Sequence, residues 1–216
     1  TGFRRVLFRS TIIMKDIFEK TRSFTRAREA MEMGLYPFFQ PLQNSDATTA
    51  TFRGKEVVMI GSNNYLGLTQ DPRVKKAVIE AIEKFGSGCT GSRFLNGTLT
   101  LHEELEEKLA AFMNVEAVLV FSTGFMTNQG VISAIVGRKD LVVGDNENHA
   151  SIVDGTRLAF GRALKYRHNN IQDLDRVLTR NKSEENGILI ISDGVFSMGG
   201  DIVDLPALVA VAKKHG

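Results

Sequence analysis

The sequence has little of several features that define whole classes of protein. Its one cysteine, Cys89, excludes an intrachain disulfide and favours a reducing compartment such as the cytoplasm. No apolar run is long enough for a membrane-spanning helix, so we expect no transmembrane segment. The net charge of +2 over 216 residues, without basic runs interleaved with aromatics, argues against a nucleic-acid partner. A hydrophobic share of 43% is typical of a globular protein with a real core.

Several catalytic motifs are also absent from the sequence. It contains no cysteine–histidine cluster with zinc spacing, no HExxH, no GxSxG and no Walker A pattern. We therefore predict no metal site, and serine-hydrolase and P-loop chemistry lack support. A nicotinamide-binding domain is weakly supported, since no GxGxxG follows the first strand.

The two ends of the chain look unlike the rest. Residues 1–10 carry no helical or strand period that continues into the next residues, and Met14 begins a normal pattern. We therefore predict that residues 1–13 are a non-native extension, with an arginine-rich presequence as the alternative. The last residues predict a helix that stops at Gly216, where an alternating fold calls for a strand, so we expect the chain to be cut short.

Residues 14–60 predict a small segment of helix, linker and hairpin. Apolar spacing favours one amphipathic helix over 15–33 that closes at Gly34. Two short apolar runs flank Arg53-Gly54-Lys55, which is typical of a hairpin.

Residues 61–216 predict an α/β domain with a mostly parallel sheet and helices on both faces. A capped helix starts at Asp71-Pro72 and ends at Gly86, and Thr100 to Glu103 reads as a capping box. Strands and helices then alternate with short joints. The expected strands are 117–121, 141–144, 163–167 and 188–192, and the expected helices are about 125–136, 150–160, 171–181 and 204–214.

Two of the joints after predicted strands carry candidate ligand-binding residues. Ser122-Thr123-Gly124 ends an apolar run and Phe125 opens a helical pattern, an arrangement that offers free N–H groups to a phosphate. His149 follows the next apolar run, at the end of a strand where ligands sit in open α/β sheets. The alternatives are an ordinary strand-to-helix turn and a histidine that only caps a helix.

Three other loops allow both a structural and a functional interpretation. Gly61–Gly67 suits a loop with Asx turns, although its amides and tyrosine could contact a substrate. Gly86–Gly97, with Arg93 in its middle, is either a flexible linker or a backbone that lies against a ligand. Asp193 and Ser197 either face the same crevice as His149 and Gly124, or Asp193 caps the turn and Gly199-Gly200 reverses the chain. His102 and His168 read as structural residues.

The ordered motifs resemble the α-oxoamine synthases, which are pyridoxal-phosphate (PLP) enzymes of fold type I. The resemblance covers roughly residues 15–216. Its motifs are Asn64–Gly67, Gly86–Arg93, Asn96–Thr98, His102–Glu106, Phe121–Phe125, Asn148–Ser151 and Asp193–Met198. Gly34–Pro37, Gly91–Thr98, His149–Gly155, His168–Asn170 and Gly200–Pro206 are most similar to the bacterial branch that condenses serine with palmitoyl-CoA.

The resemblance implies roles for individual residues. The N–H groups of Gly124 and Phe125 would bind the cofactor phosphate, and His149 would stack on its ring and touch the amino-acid carboxylate. Ser197 would hold the cofactor near its ring oxygen or phosphate.

On the acyl-CoA side the family implies four substrate-binding residues and a homodimer in which they reach the neighbouring subunit's site. These residues are Asn64, Tyr65, Ser92 and Arg93.

The implied activity is decarboxylative condensation of serine with a long-chain acyl-CoA to a 3-keto sphingoid base. Glycine C-acetyltransferase and 8-amino-7-oxononanoate synthase are the alternative activities. A catalytically inactive partner subunit of the same fold is a further alternative. The family's Schiff-base lysine and ring-nitrogen aspartate fall beyond Gly216, so we expect the 216-residue polypeptide to be inactive and the whole protein active.

Overall fold

The computed structural model describes residues 16–216. It divides into two compact units, one that ends at Gly88 and one that spans Cys89–Gly216. The predicted extension over residues 1–13 lies outside the described residues, and the predicted boundary between residues 60 and 61 stays a prediction.

Over residues 16–88 the first unit contains three short strands and four helical segments. In chain order these are α1 (Glu19–Arg22), α2 (Arg26–Glu32), β1 (Asn44–Ser45), β2 (Thr49–Phe52), β3 (Lys55–Val58), a 3-10 helix (Leu68–Gln70) and α3 (Pro72–Phe85). The three strands form an antiparallel sheet in the order β1-β2-β3.

Local sequence signals explain most of this first unit. Arg53 and Gly54, both with positive φ, make the two-residue turn of the predicted hairpin. Asp71 accepts a hydrogen bond from Arg73 N at 2.8 Å, and the predicted capped helix is confirmed.

The single helix predicted over 15–33 is wrong, since α1 and α2 are separate. The hydroxyl of Ser23 donates to the Glu19 carbonyl, which the Ser23 N–H also uses, and such side-chain bonds compete with helix continuation. The helical stretch nevertheless closes at Gly34, which has a φ of 70°, as predicted.

The second unit contains five helices and three strands. They are α4 (Thr100–Met113), α5 (Gly124–Ile135), β4 (Leu141–Asp145), α6 (Ala150–Leu158), β5 (Arg162–Tyr166), α7 (Ile171–Asn181), β6 (Ile188–Ile191) and α8 (Leu205–His215). The predicted capping box at Thr100 is wrong: α4 starts at Thr100, and His102 Nδ1 accepts from Leu99 N at 2.9 Å.

The strands of the second unit form a parallel sheet in the order β5-β4-β6 with helices on both faces, as predicted. Every residue of β4 is buried. Val142 packs with Ile132 and Ile152 of α5 and α6. On the opposite face Val143 packs with residues of β5, α7 and α8, which include Leu174. Because side chains alternate between the two faces of β4, residues of this one strand take part in two core clusters.

The predicted strand over 117–121 is wrong, because this segment pairs with no other strand among the described residues. Both backbone polar groups of Val120 bind side chains instead. Its N–H donates to Glu106 Oε1 at 2.9 Å, and its carbonyl accepts from Arg93 at 3.4 Å. The segment is also not buried, since Leu119 is 68% exposed. The ion pair of Arg93 and Glu106 therefore binds the backbone of this segment at Val120.

Helices α5 and α6 approach each other closely at Gly155. A Cβ placed there would lie 2.8 Å from the Asn128 carbonyl oxygen and 2.8 Å from Ile132 Cδ1. Real Cβ atoms do not come so near to a backbone oxygen, so a glycine is needed at this contact.

We expect Gly155→Ala to destabilise the protein. Because the Cβ would meet a backbone oxygen, we expect an overpacking cost in the upper part of the usual range of about 1–3 kcal/mol, and about 1 kcal/mol of improved helix propensity offsets part of it, so the net loss should be about 1–2 kcal/mol. Urea unfolding monitored by circular dichroism measures it. Gly194→Ala is the matched control, since a Cβ there meets no atom within 4 Å. A variant at 155 as stable as the wild type would contradict the close approach.

Candidate cofactor and substrate site

The candidate site lies at the carboxyl ends of β4 and β6, beside the first residues of α5 and α6. Asp145 ends β4, and Ser192-Asp193 follow β6. Gly124 begins α5, and His149 immediately precedes α6. Ligands of open parallel sheets sit at this edge.

The start of α5 has the properties of an anion site. Thr123 Oγ1 accepts from Met126 N at 3.1 Å, which uses one of the first N–H groups. Among residues 16–216, the N–H groups of Gly124 and Phe125 meet no acceptor. A Cβ built on Gly124 meets no atom within 4 Å, so the space beside Gly124 is open. Two free donors and the helix dipole favour a bound phosphate here.

Hydrogen bonds to β6 fix the backbone at His149. Its N–H donates to Asp193 Oδ2 at 2.6 Å. The neighbouring Asn148, only 8% exposed, donates from Nδ2 to the Ile191 carbonyl at 3.0 Å and accepts from Asp193 N at 3.0 Å. The loop after β4 is therefore tied to the end of β6, and the carboxylate of Asp193 lies beside the backbone of His149.

The imidazole of His149 lies next to the start of α5. Its ring and that of Phe125 have centroids 6.3 Å apart with an interplanar angle of 78°, an edge-to-face arrangement. The structure thus brings together the two features that the sequence singled out. His149 also caps α6, because its Nδ1 accepts from Ser151 N at 3.2 Å. The capping and ligand interpretations are compatible.

Ser197 lies in a turn that an antiparallel bridge between Val195 and Ile202 closes. Gly200, with a φ of 74°, donates to the Phe196 carbonyl and reverses the chain. Ser197 is exposed, and its hydroxyl has no partner among residues 16–216. Its contact with a cofactor stays a prediction.

His168 anchors this turn to the sheet. Its Nδ1 lies 2.9 Å from Asp145 Oδ1, and its Nε2 lies 2.7 Å from Asp201 Oδ2. Its ring packs edge-on against Phe196 at 4.4 Å. The hydrogen bonds to Asp145 and Asp201 raise the pKa of His168 above its ordinary value. The structural interpretation of His168 is confirmed.

The predicted acyl-CoA residues Asn64 and Tyr65 belong to the first unit. The amide of Asn64 donates to Thr69 Oγ1 at 2.9 Å, in a local turn. Tyr65 is 85% exposed. The side chain of Asn64 thus stabilises the loop, and substrate contacts by Asn64 and Tyr65 stay predictions.

Ser92 and Arg93 lie in the second unit. The Arg93 guanidinium forms a bidentate pair with Glu106, and this hydrogen bonding lowers the pKa of Glu106 to about 2. Ser92 is exposed. Arg93 therefore holds the segment before α5, and a substrate role for either residue stays a prediction.

Sequence reasoning missed three residues that support His149. Asn148, Ser151 and Asn128 all bond to this loop or to its neighbours, and Asn128 Nδ2 lies 2.9 Å from Ser151 Oγ. Two of them stand in a motif that the sequence singled out, but no local signal reveals that Asn128 meets Ser151.

Within residues 16–216 no helix is long and apolar enough to cross a membrane. The same residues hold no group of three or more histidine, cysteine and acidic side chains placed to bind a metal ion.

The contacts of His168 predict a pH-dependent stability. A raised pKa in the folded state stabilises the fold fully below the ordinary value of 6.5, and this stabilisation is lost as pH rises through the folded-state pKa. Asp145, Asp201 and Glu147 are the charged groups that face the ring. The free energy of unfolding of the wild type should therefore exceed that of His168→Gln at pH 6, and this difference should shrink as the pH is raised to 9. Urea unfolding of both proteins measures it. Parallel profiles would contradict this assignment.

Comparisons with known proteins agree with this geometry. The model of the family "Aminotransferase class I and II" matches residues 55–216. A serine palmitoyltransferase of Bacteriovorax stolpii is 52% identical over 202 residues, which cover 94% of this chain and 48% of that protein. An 8-amino-7-oxononanoate synthase of Symbiobacterium thermophilum is 48% identical over 185 residues, which cover 86% of this chain and 47% of that protein.

A solved serine palmitoyltransferase from S. paucimobilis with bound PLP and myriocin matches with a TM-score of 0.88 and 40% identity. The match covers 94% of this chain and 51% of that one, so this chain spans about half the length of the relatives it matches. The predicted fold type and family are confirmed. The chain belongs to the class I and II aminotransferase family, and its relatives there are α-oxoamine synthases.

Proposed function

We propose that the whole protein is a PLP-dependent α-oxoamine synthase that condenses serine with palmitoyl-CoA. The observation that carries the proposal is the pairing of free N–H groups at the start of α5 with the imidazole of His149 beside them. The relatives named serine palmitoyltransferase, up to 52% identical, support the choice of substrates. The single cysteine supports a cytoplasmic location.

The residues present fit pyridoxal phosphate. The N–H groups of Gly124 and Phe125 suit a dianionic phosphate, and the space beside Gly124 is open. The exposed ring of His149 offers a flat face to a heterocycle. When bound, the cofactor supplies a conjugated ring that withdraws electrons from the Cα of the amino acid.

The chain's own residues position the reactants. Gly124 and Phe125 hold the phosphate end, and His149 orients the ring and binds the serine carboxylate. Ser197 binds the cofactor near its ring oxygen or phosphate. In the overall reaction the serine Cα bonds to the thioester carbonyl carbon, coenzyme A leaves as its thiol, and the serine carboxylate leaves as carbon dioxide.

On the acyl-CoA side we assign Asn64 and Tyr65, with Ser92 and Arg93, to a homodimer in which they reach the neighbouring subunit's site. No lysine of this chain takes the Schiff-base role, and Lys139 and Lys165 act as surface charges. The 216-residue polypeptide alone is thus proposed not to turn over.

One other activity has specific support. A relative named 8-amino-7-oxononanoate synthase is 48% identical, only slightly below the first serine palmitoyltransferase. The two activities differ in amino acid and acyl chain, so a substrate panel separates them.

The test is an assay of the whole protein, at the length of its relatives, with PLP. Release of coenzyme A thiol is measured with serine, glycine or alanine against palmitoyl-CoA and short acyl-CoAs. We expect turnover with serine and palmitoyl-CoA. Turnover only with another pair would assign the protein to a sibling activity, and none with any pair would favour an inactive partner subunit.

His149→Ala tests the site itself. Loss of a hydrogen bond to a charged group costs about 1.5–3 kcal/mol, so kcat/KM should fall about 10- to 160-fold. Lys165→Ala, a change at an exposed residue of β5, is the control and should leave the rate unchanged. An unaltered rate in His149→Ala would remove His149 from the site.

A further inference from the structure

Ser151 is a nearly inaccessible hydroxyl beside an exposed imidazole. It is 1% exposed and lies in the first turn of α6. Its Oγ is 2.7 Å from His149 Nδ1 and 2.9 Å from Asn128 Nδ2 of α5. A chain of hydrogen bonds therefore runs from α5 through Ser151 to the ring.

The direction of each bond in this chain is fixed by chemistry. The N–H of Ser151 also points at His149 Nδ1, at 3.2 Å, and a backbone N–H can only donate. Nδ1 is therefore an acceptor, and the Ser151 hydroxyl donates its single proton to it. The lone pair of that hydroxyl then takes the proton of the Asn128 amide. In the neutral ring the remaining proton must lie on Nε2.

The surrounding packing holds this arrangement in place. At Gly155 a Cβ would lie 2.8 Å from the Asn128 carbonyl oxygen, so the missing side chain allows α5 and α6 to approach closely. At the other side, Asp193 fixes the backbone N–H of His149. The ring is thus held at its backbone and at Nδ1, while Nε2 has no partner among residues 16–216.

We propose that Asn128 and Ser151 are positioning residues that hold His149 in the tautomer with the proton on Nε2 and present that proton to a carboxylate oxygen. The ligand class is the carboxylate of an amino acid, so this inference rests on the proposed function and deepens it. Neither residue touches the ligand. Their effect passes through the ring, because a ring free to rotate or change tautomer donates to the carboxylate only part of the time.

The first test reads the tautomer without cofactor or turnover. Whole, cofactor-free protein is labelled with ¹⁵N-histidine, and the signals of His149 are identified by their loss in His149→Ala. Nitrogen NMR should show a single form protonated at Nε2. In Ser151→Ala, Nδ1 loses the shorter of its two donors, and a second form protonated at Nδ1 should appear.

Thr156→Ala is the matched control for this test. It removes a hydroxyl from the same helix, one that bonds only to the Val153 carbonyl at 2.7 Å. Its His149 signals should match those of the wild type. A wild-type mixture of tautomers, or an unchanged single form in Ser151→Ala, would overturn the inference.

The second test measures amino-acid binding to the PLP-loaded protein. Titration with serine, followed by visible absorbance, should show binding weakened about 10-fold in Ser151→Ala and in Asn128→Ala. The double variant should be little worse than either single one, since both act through Nδ1. Cofactor affinity should change less than serine affinity, because neither residue contacts the N–H groups of Gly124 and Phe125 that hold the phosphate.

The outcomes separate this inference from the proposed function. A wild-type protein that binds neither PLP nor serine defeats the proposed function, whereas the tautomer experiment on cofactor-free protein still tests whether Ser151 holds the proton of His149 on Nε2. A wild-type protein that binds both, with variants of equal serine affinity, defeats only the positioning role. Asn128→Ala provides a variant in which the Ser151 hydroxyl is retained, should Ser151→Ala fail to fold.

Discussion

The buried carboxylate of Asp145 is the interaction on which the site depends. It ends the central, fully buried strand β4 and is itself 1% exposed. A buried charge is costly unless donors surround it, and this one accepts from Glu147 N, Asn169 N and His168 Nδ1 at 2.8–2.9 Å. Two loops are thereby folded against the strand end, and His168 extends the connection to the turn that carries Ser197. This one carboxylate therefore holds the end of β4 and the two loops that begin at Asn146 and Arg167.

Those parts of the fold that follow from local chemistry could be predicted from the sequence. The strands predicted at 141–144, 163–167 and 188–192 correspond to β4, β5 and β6 to within one residue at each end, and the hairpin turn follows from Arg53-Gly54. The apolar run at 117–121 predicted a strand that does not form. The backbone of Val120 instead binds Arg93 and Glu106, which are distant in the sequence. The ion pair of Arg93 and Glu106 arises from tertiary packing, which no short window of sequence reports.

The candidate site shows the same division. Gly124, Phe125 and His149 could be identified because each lies at a joint between a predicted strand and a helix. The ring centroids of Phe125 and His149 lie 6.3 Å apart because α5 and α6 begin next to each other. Asn128 and Ser151 are 23 positions apart and meet only because α5 and α6 pack closely, so their pairing could not be read from the sequence. The roles of Ser197 and of the acyl-CoA residues remain predictions.

The double duty of His149 bears on what natural selection can act upon at this position. Capping of α6 needs only a short side chain that accepts from Ser151 N, and asparagine, aspartate or serine do this better than an aromatic ring. Folding therefore sets no requirement for an imidazole there. A descendant of this protein could exchange the ring for an amide, keep its architecture and give up only its chemistry, which is a short evolutionary path from a catalyst to a scaffold.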